Sequence, residues 1–292
     1  MRLAARLAPW FNRRRDDKRE PISYRAWKWS WQRAPSFVRP TLFERVETSD
    51  WDLLVVLDAA RYDVLRELAD GVVSQEVSPA SSTPEFLEEA DEREVFTDAI
   101  YVSANPQLER KNLSAERVEY LNDRWDDRLD TIPPEAVYDR AIELVRKGES
   151  VVAHTLQPHY PHICRIDGDL EPVPGGLHPE ETDIEGNDVV QGYLTSGRYS
   201  LADVRRSYEI CTEFAWREAR RAAQELRSEG YTVAITSDHG EAFGEFGFVE
   251  HPTGVSIPQL RRVPWVEFRP AGRSSSGAAE DLEDRLRALG YR

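Results

Sequence analysis

Cysteine is nearly missing from this sequence: Cys164 and Cys211 are the only two in 292 residues, and they lack CxxC spacing. Two thiols cannot build a disulfide framework, which excludes a small stapled scaffold and leads to the expectation of a reducing compartment. Long apolar runs are missing as well. No stretch approaches the roughly 18 apolar residues of a membrane span, and Met1 to Arg15 holds no long apolar segment of a secretory signal. The expectation is a cytoplasmic protein, peripheral at the inner membrane face at most. Such contact would run through residues 1–45, where Leu3, Leu7, Trp10 and Phe11 stand among arginines, although a solvated basic helix fits the same residues.

Lysine is scarce too, at 4 of the 38 basic residues. Residues 1–45 hold 12 Lys and Arg against 4 Asp and Glu, and the rest of the chain 26 against 49, so a basic arm of +8 precedes an acidic body of −23. An acidic body argues against nucleic acid as a partner, because that affinity comes from neutralising phosphates. Acid excess with Arg bias suits a protein of a high-salt cytoplasm, and a GC-rich genome would produce the Arg bias as well. With 40% hydrophobic and 10% aromatic residues the chain can bury one sizeable core.

Asp52 to Leu57 reads DLLVVL, a continuous apolar run of the kind that forms a strand buried on both faces. Similar runs follow at 95–102, 150–156, 231–236 and 263–268, separated by helical patterns at 134–147 and 201–229. The alternation implies an α/β fold with a mostly parallel central sheet and helices on both faces. Residues 1–50, with Trp27, Trp29 and Trp31, read as an arm packed onto the body. Residues 51–270 read as the main domain, 167–197 as a surface insertion within it, and 271–292 as a linker with a C-terminal helix.

Chemistry in such sheets sits beyond the carboxyl ends of the strands, and three of the five predicted strands end in polar residues. The first gives Asp58 in LDAARYD, the third His154 and His159 in HTLQPHYPH, and the fourth Asp238 and His239 in TSDHGE. Carboxylates and imidazoles converging there would bind Zn²⁺, Mn²⁺ or Mg²⁺, according to how many nitrogen donors take part. A hydroxyl at a helix N-terminus sits where orphan N–H groups and the macrodipole favour negative charge. SPASSTPEFLEEA, 78–90, supplies one: Pro84 as first helical residue would make Thr83 the N-cap, or Ser82 and Glu85 would form a capping box. Arg61 and Asp63 read as a pair bracing the loop after the first strand, with substrate contact by Arg61 the alternative.

These segments resemble a known family. TSDHGEAFGEFGFVEH, 236–251, looks like the SDHGE segment of sulfatase-like enzymes and especially of phosphoethanolamine transferases, with a further His downstream. LDAARYD, HTLQPHYP and LRRVPWVEF, 260–268, resemble other motifs of the alkaline phosphatase and sulfatase superfamily, in its order. The resemblance implies an alkaline-phosphatase-like fold, one or two divalent ions on Asp58, Asp238 and His239, and His159 and His251 facing anionic oxygens or a second metal. His154 matches a family position at the substrate. The family's hydroxyl-x-Pro spacing points to Ser82 as nucleophile; threonine nucleophiles among the transferases, with the Pro84 argument, favour Thr83.

Formylglycine sulfatases carry Arg two residues after the Pro of their motif, and here Phe86 stands there. That directs the expectation to a hydrolase or transferase of phosphate esters, on a small-molecule, lipid or glycan substrate. A sulfatase, or a non-catalytic relative in a membrane-surface assembly, is the alternative. If the acid excess reflects a saline setting, KCl screens the self-repulsion of the body and the thermal midpoint rises between low salt and about 2 M KCl; a flat or falling midpoint removes that reading.

Overall fold

The computed structural model describes residues 22–32, 39–69, 73–176, 194 and 199–270. Its centre is a seven-stranded sheet in the order β2-β11-β8-β1-β5-β3-β4. β1 (Leu53–Asp58), β3 (Phe96–Ser103), β4 (Ala115–Tyr120), β5 (Val151–Pro158) and β8 (Val233–Ser237) run parallel. β11 (Arg262–Phe268) is antiparallel to β8 and to the edge strand β2 (Ser74–Val77). Two hairpins, β6 (Ile163–Ile166) with β7 (Asp169–Pro172) and β9 (Ala242–Phe243) with β10 (Val249–Glu250), lie outside the sheet.

The described helices are α1 (Ile22–Gln32), α2 (Leu42–Thr48), α3 (Tyr62–Leu68), α4 (Thr83–Glu92), α5 (Pro134–Val145), α6 (Leu201–Ser228) and α7 (Pro258–Arg261). All five strands expected from apolar runs are present, and so are both expected helices. The edge strands β2 and β4 escaped sequence reading because most of their residues are exposed or half-buried and carry no apolar run. The expected insertion starts in the β6–β7 hairpin; residues 177–193, 195–198 and 271–292, including His178 and the expected C-terminal helix, lie outside the described residues.

β1 shows why its run is unbroken. Leu53, Val55 and Leu57 face one core with α5 and α6, and Leu54 and Val56 face the other with α2 and α4. Both layers need apolar side chains, so every residue of the strand body is apolar. Removing one such side chain costs about 2–5 kcal/mol.

α4 carries the functional consequence. Thr83, Phe86, Leu87 and Ala90 are its buried residues and share one face by their spacing of three and four. The apolar stripe that docks the helix therefore turns Thr83 inward. Phe86 packs in an aromatic cluster with Phe43 and Phe96, ring centroids 5.2 and 6.3 Å away, which accounts for an apolar residue where the sulfatases have Arg.

α1 forms where the sequence showed no clear periodicity. Trp27 and Trp31 pack against the cluster of Ala242, Phe248, Val255, Ile257 and Leu260. Trp27 Nε1 donates to Phe246 O at 3.1 Å, and Gln32 Nε2 donates to Thr253 O at 2.8 Å. On α6, Tyr208 and Trp216 are buried packing residues. The Tyr208 hydroxyl donates to Ala59 O at 2.7 Å and accepts from Arg61 N at 2.9 Å, pinning the loop after β1.

The loop after β8 is pressed against α7: Gly240 N donates to Leu260 O at 2.8 Å, and a Cβ on Gly240 would stand 2.1 Å from Gln259 O. Backbone cannot yield as a flexible side chain can. Gly240→Ala is therefore expected to lower stability by about 1–3 kcal/mol, read from a denaturant midpoint; an unchanged midpoint would mean that this loop has slack.

Candidate active site

The carboxyl ends of β8, β1, β5 and β3 lie side by side, and each delivers polar residues to one place. Asp58 ends β1, Asp238 and His239 follow β8, His154 lies in β5 with His159 just beyond it, and Asn105 follows β3. The N-terminus of α4 meets them. Thr83 Oγ1 lies 2.8 Å from Asp238 Oδ2, 3.2 Å from His239 Nε2 and 3.4 Å from Asp58 Oδ2. His239 Nε2 is 3.5 Å from Asp58 Oδ1 and 3.4 Å from Asp238 Oδ2.

Ser82 is the N-cap, the second of the two registers the sequence allowed, and Thr83 is the first helical residue. The expected capping box is absent. The Ser82 hydroxyl sits 2.9 Å from Thr253 Oγ1, and Glu85 instead accepts from Ser81 N at 2.7 Å and Ser81 Oγ at 2.9 Å. Of the adjacent hydroxyls, that of Thr83 is the one that contacts Asp58 and Asp238, because it shares the buried face of α4.

Asp58 and Asp238 are buried side by side, which is costly for two negative charges. Burial and the neighbouring Asp238 push the Asp58 carboxyl well above the usual carboxylate range. For Asp238 the cost of burial is outweighed by His239, His154 and hydrogen bonds, including one from Ala59 N at 3.1 Å. Burial holds His239 below the usual histidine value and takes His154 to about 4, so both rings are neutral and able to ligate. Asp58 Oδ1 is buried without a hydrogen-bond partner. Asp58, His154 and Asp238 each place one ligand atom within 4.8 Å of the others.

A divalent cation fits this set. Ligands at about 2.1 Å in a tetrahedron stand about 3.4 Å apart, and the separations of 3.4 and 3.5 Å given above match. Two carboxylates would balance a charge of two, and a cation would satisfy the orphaned oxygen.

Outside this cluster opens a cavity of about 420 Å³, lined on its polar side by Asp58, Ser82, Thr83, Asn105, His159 and His251. Trp125, Tyr160 and Lys28 of α1 close other sides. The His251 ring packs 4.6 Å from that of His239 and 5.0 Å from that of His159. His251 Nδ1 donates to Glu241 Oε2 at 2.9 Å. Burial disfavours its charged form, but Glu241 outweighs this and raises it to about 9, whereas burial and the adjacent His251 hold His159 at about 4.

Arg61 is spent as a brace. It grips Asp63 with two hydrogen bonds, at 2.8 and 2.6 Å, reaches Glu245 Oε1 at 2.7 Å, and does not line the cavity. His154 is fully buried and also off the cavity wall, as is His162, which bonds Ser207 Oγ at 2.9 Å. Three contributors were missed in the sequence: Asn105, whose amide donates to Asp58 Oδ2 at 2.5 Å, Glu241, and Tyr101, which hydrogen-bonds His154 Nδ1 at 2.7 Å. Asn105 is a strand-end polar residue like the others and could have been found by the same rule. Tyr101 lies inside a strand and gives no such signal.

No family model matches the sequence, and no curated protein matches it. Solved structures do. The soluble domain of lipooligosaccharide phosphoethanolamine transferase A from Neisseria meningitidis superimposes with a TM-score of 0.50 at 12% identity, covering 75% of this chain and 76% of that one. The integral membrane protein from the same organism gives 0.53 at 14% identity, covering 90% of this chain. The likeness bears out the expected alkaline-phosphatase-like fold, a mostly parallel central sheet flanked by helices. This chain spans only 56% of the integral membrane protein. The C-terminal periplasmic domain of EcEptC from Escherichia coli, in complex with Zn, gives a TM-score of 0.49 at 12% identity over 77% of this chain and 75% of that one.

The cytoplasmic placement expected above is contradicted, because the structures this fold resembles are an integral membrane protein and the soluble domain of such an enzyme. The inference failed because two free, buried thiols, here Cys164 and Cys211 packed in one small cluster, carry little information about compartment. No described helix is long and apolar enough to cross a membrane.

The His251 pair has a pH signature. Its value in the fold lies above the ordinary histidine value of 6.5, so the charged pair is fully present below that value and is lost as pH rises through about 9. Turnover of a bis-aryl phosphate by metal-loaded protein should fall across that range. Glu241→Gln should move the fall toward lower pH, and an unmoved alkaline limb would detach His251 from it.

Proposed function

We propose that this protein is a metal-dependent hydrolase or transferase of phosphate esters with Thr83 as its nucleophile. The observation that carries this reading is the position of Thr83 Oγ1, within 3.4 Å of Asp58, Asp238 and His239 at the N-terminus of α4. Asp58, Asp238 and His239 would hold a divalent ion, Zn²⁺, Mn²⁺ or Mg²⁺, which supplies positive charge that acidifies the Thr83 hydroxyl and neutralises the transferring phosphoryl oxygens.

Thr83 gives up its proton, toward Asp238 Oδ2 at 2.8 Å, as its oxygen bonds phosphorus and the ester oxygen departs. His251, cationic at neutral pH, donates the proton that the departing alkoxide needs. His159 orients the ester from the same wall. The phosphothreonine sits on the α4 N-terminus, where backbone N–H groups and the macrodipole favour its charge. Water completes a hydrolysis, or an acceptor alcohol a transfer. Lys28 is the single Lys or Arg lining the cavity among the described residues, and it adds a fixed positive charge for an anionic small-molecule, lipid or glycan ester.

The test separates ligands from nucleophile. Asp238→Asn and His239→Ala should lower metal content and abolish turnover, whereas Thr83→Ala should keep most of the metal and lose turnover by a factor on the order of 10³ or more. Ser82→Ala should cost less than about tenfold, because it removes one neutral hydrogen bond. Intact-mass measurement after brief incubation with substrate should show a phosphoryl adduct on the native protein and none on Thr83→Ala. If Thr83→Ala stays active and Ser82→Ala does not, the nucleophile is Ser82; if both stay active, the attacking group is water.

A further inference from the structure

His154 has no part in the steps above, yet its surroundings are unusual. It lies within β5, paired in register with Val56 of β1, and its side chain is fully buried behind the carboxylates. It does not line the cavity, so contact with substrate is closed to it. One ring nitrogen is anchored, Nδ1 lying 2.7 Å from the Tyr101 hydroxyl. The other, Nε2, is buried without any hydrogen-bond partner, 3.7 Å from Asp238 Oδ2, too far for a hydrogen bond.

Asp58 Oδ1 is in the same condition, and the two orphaned residues belong, with Asp238, to one cluster of ligand atoms. A buried polar atom without a partner is rare and needs a reason. When Nδ1–H donates to the tyrosine oxygen, Nε2 keeps its lone pair and becomes an acceptor, like the carboxylate oxygen. Two acceptors facing one buried space call for a cation.

We infer that His154 is a further protein ligand of the divalent ion, through Nε2, and that Tyr101 is the positioning residue that fixes its ring. This rests on the proposal that Asp58, Asp238 and His239 hold that ion. The 3.7 Å separation from Asp238 is within reach of the roughly 3.4 Å between neighbouring ligands of a tetrahedral ion. Tyr101 occupies the place that the outer partner of a metal-bound histidine takes, accepting from the nitrogen that does not ligate. With His154 the protein donors become two imidazole nitrogens and two carboxylate oxygens, beside the Thr83 hydroxyl. That set selects Zn²⁺ over Mg²⁺, which takes oxygen ligands and keeps its water.

The test reads the metal rather than turnover. Zn²⁺ affinity is measured on the full chain by competition with a chromophoric chelator, and the Co²⁺-substituted protein gives a visible absorption spectrum set by the ligands. Tyr101→Phe keeps the ring and removes only the hydroxyl, and should weaken Zn²⁺ binding about 10- to 100-fold. His154→Gln should weaken it further and change both the position and the intensity of the Co²⁺ bands, while Mg²⁺ binding changes little. If Asp238→Asn loses the ion but His154→Gln and Tyr101→Phe bind Zn²⁺ like the native protein with an unaltered Co²⁺ spectrum, His154 is no ligand and the metal site of the other three stands. If Asp238→Asn also keeps its zinc, the metal assignment itself falls, and this inference with it.

Discussion

The pair of carboxylates buried at the ends of β1 and β8 is the constraint on which the rest of the site depends. Asp58 and Asp238 stand close enough that each disfavours the other's charge, and one oxygen of Asp58 has no partner at all. A fold tolerates such a pair only when something offsets it. Ala59 N, the Asn105 amide, the Thr83 hydroxyl and two neutral imidazoles surround the pair and supply part of that compensation. A divalent cation would supply the remainder, which links metal loading directly to stability.

Much of this was legible in the sequence because the same physics writes both patterns. The body of a doubly buried strand such as β1 is apolar, and polar residues gather where the central strands reach their carboxyl ends. Asp58 and Asp238 were found that way. The edge strands were not, since a strand with one neighbour and an exposed face has no need of an apolar run. The choice between Ser82 and Thr83 was beyond local rules: both suit a helix start, and only the docking of α4 through Phe86, Leu87 and Ala90 decides which hydroxyl turns inward. Tyr101 and Glu241 act through partners 53 and 10 residues away, a relation that no spacing rule expresses.

The N-terminal arm proved more closely tied to the site than its composition suggested. Gln32 holds Thr253 O, and the Thr253 hydroxyl meets Ser82, the residue before Thr83. Lys28, one turn earlier on the same helix, reaches the cavity wall. A segment that lies outside the sheet thus shares in shaping the chamber, and the aromatic contacts of Trp27 and Trp31 are what hold it there.

The two-sided burial of β1 has one more consequence. Leucine and valine alternate between two cores that are equally apolar, so hydrophobicity alone hardly distinguishes the observed pairing from one displaced by a single residue. Polar residues break that near-degeneracy. A slip would carry the Asp58 carboxylate away from Asn105, Ala59 N and Thr83 into hydrocarbon, and at the opposite end it would part Asp52 from Thr232 N, to which it is bonded at 2.6 Å. The strand is registered by its polar ends, much as a printed sheet is aligned by the marks at its margins. The same carboxylate that would hold a metal also tells the chain where to stop sliding.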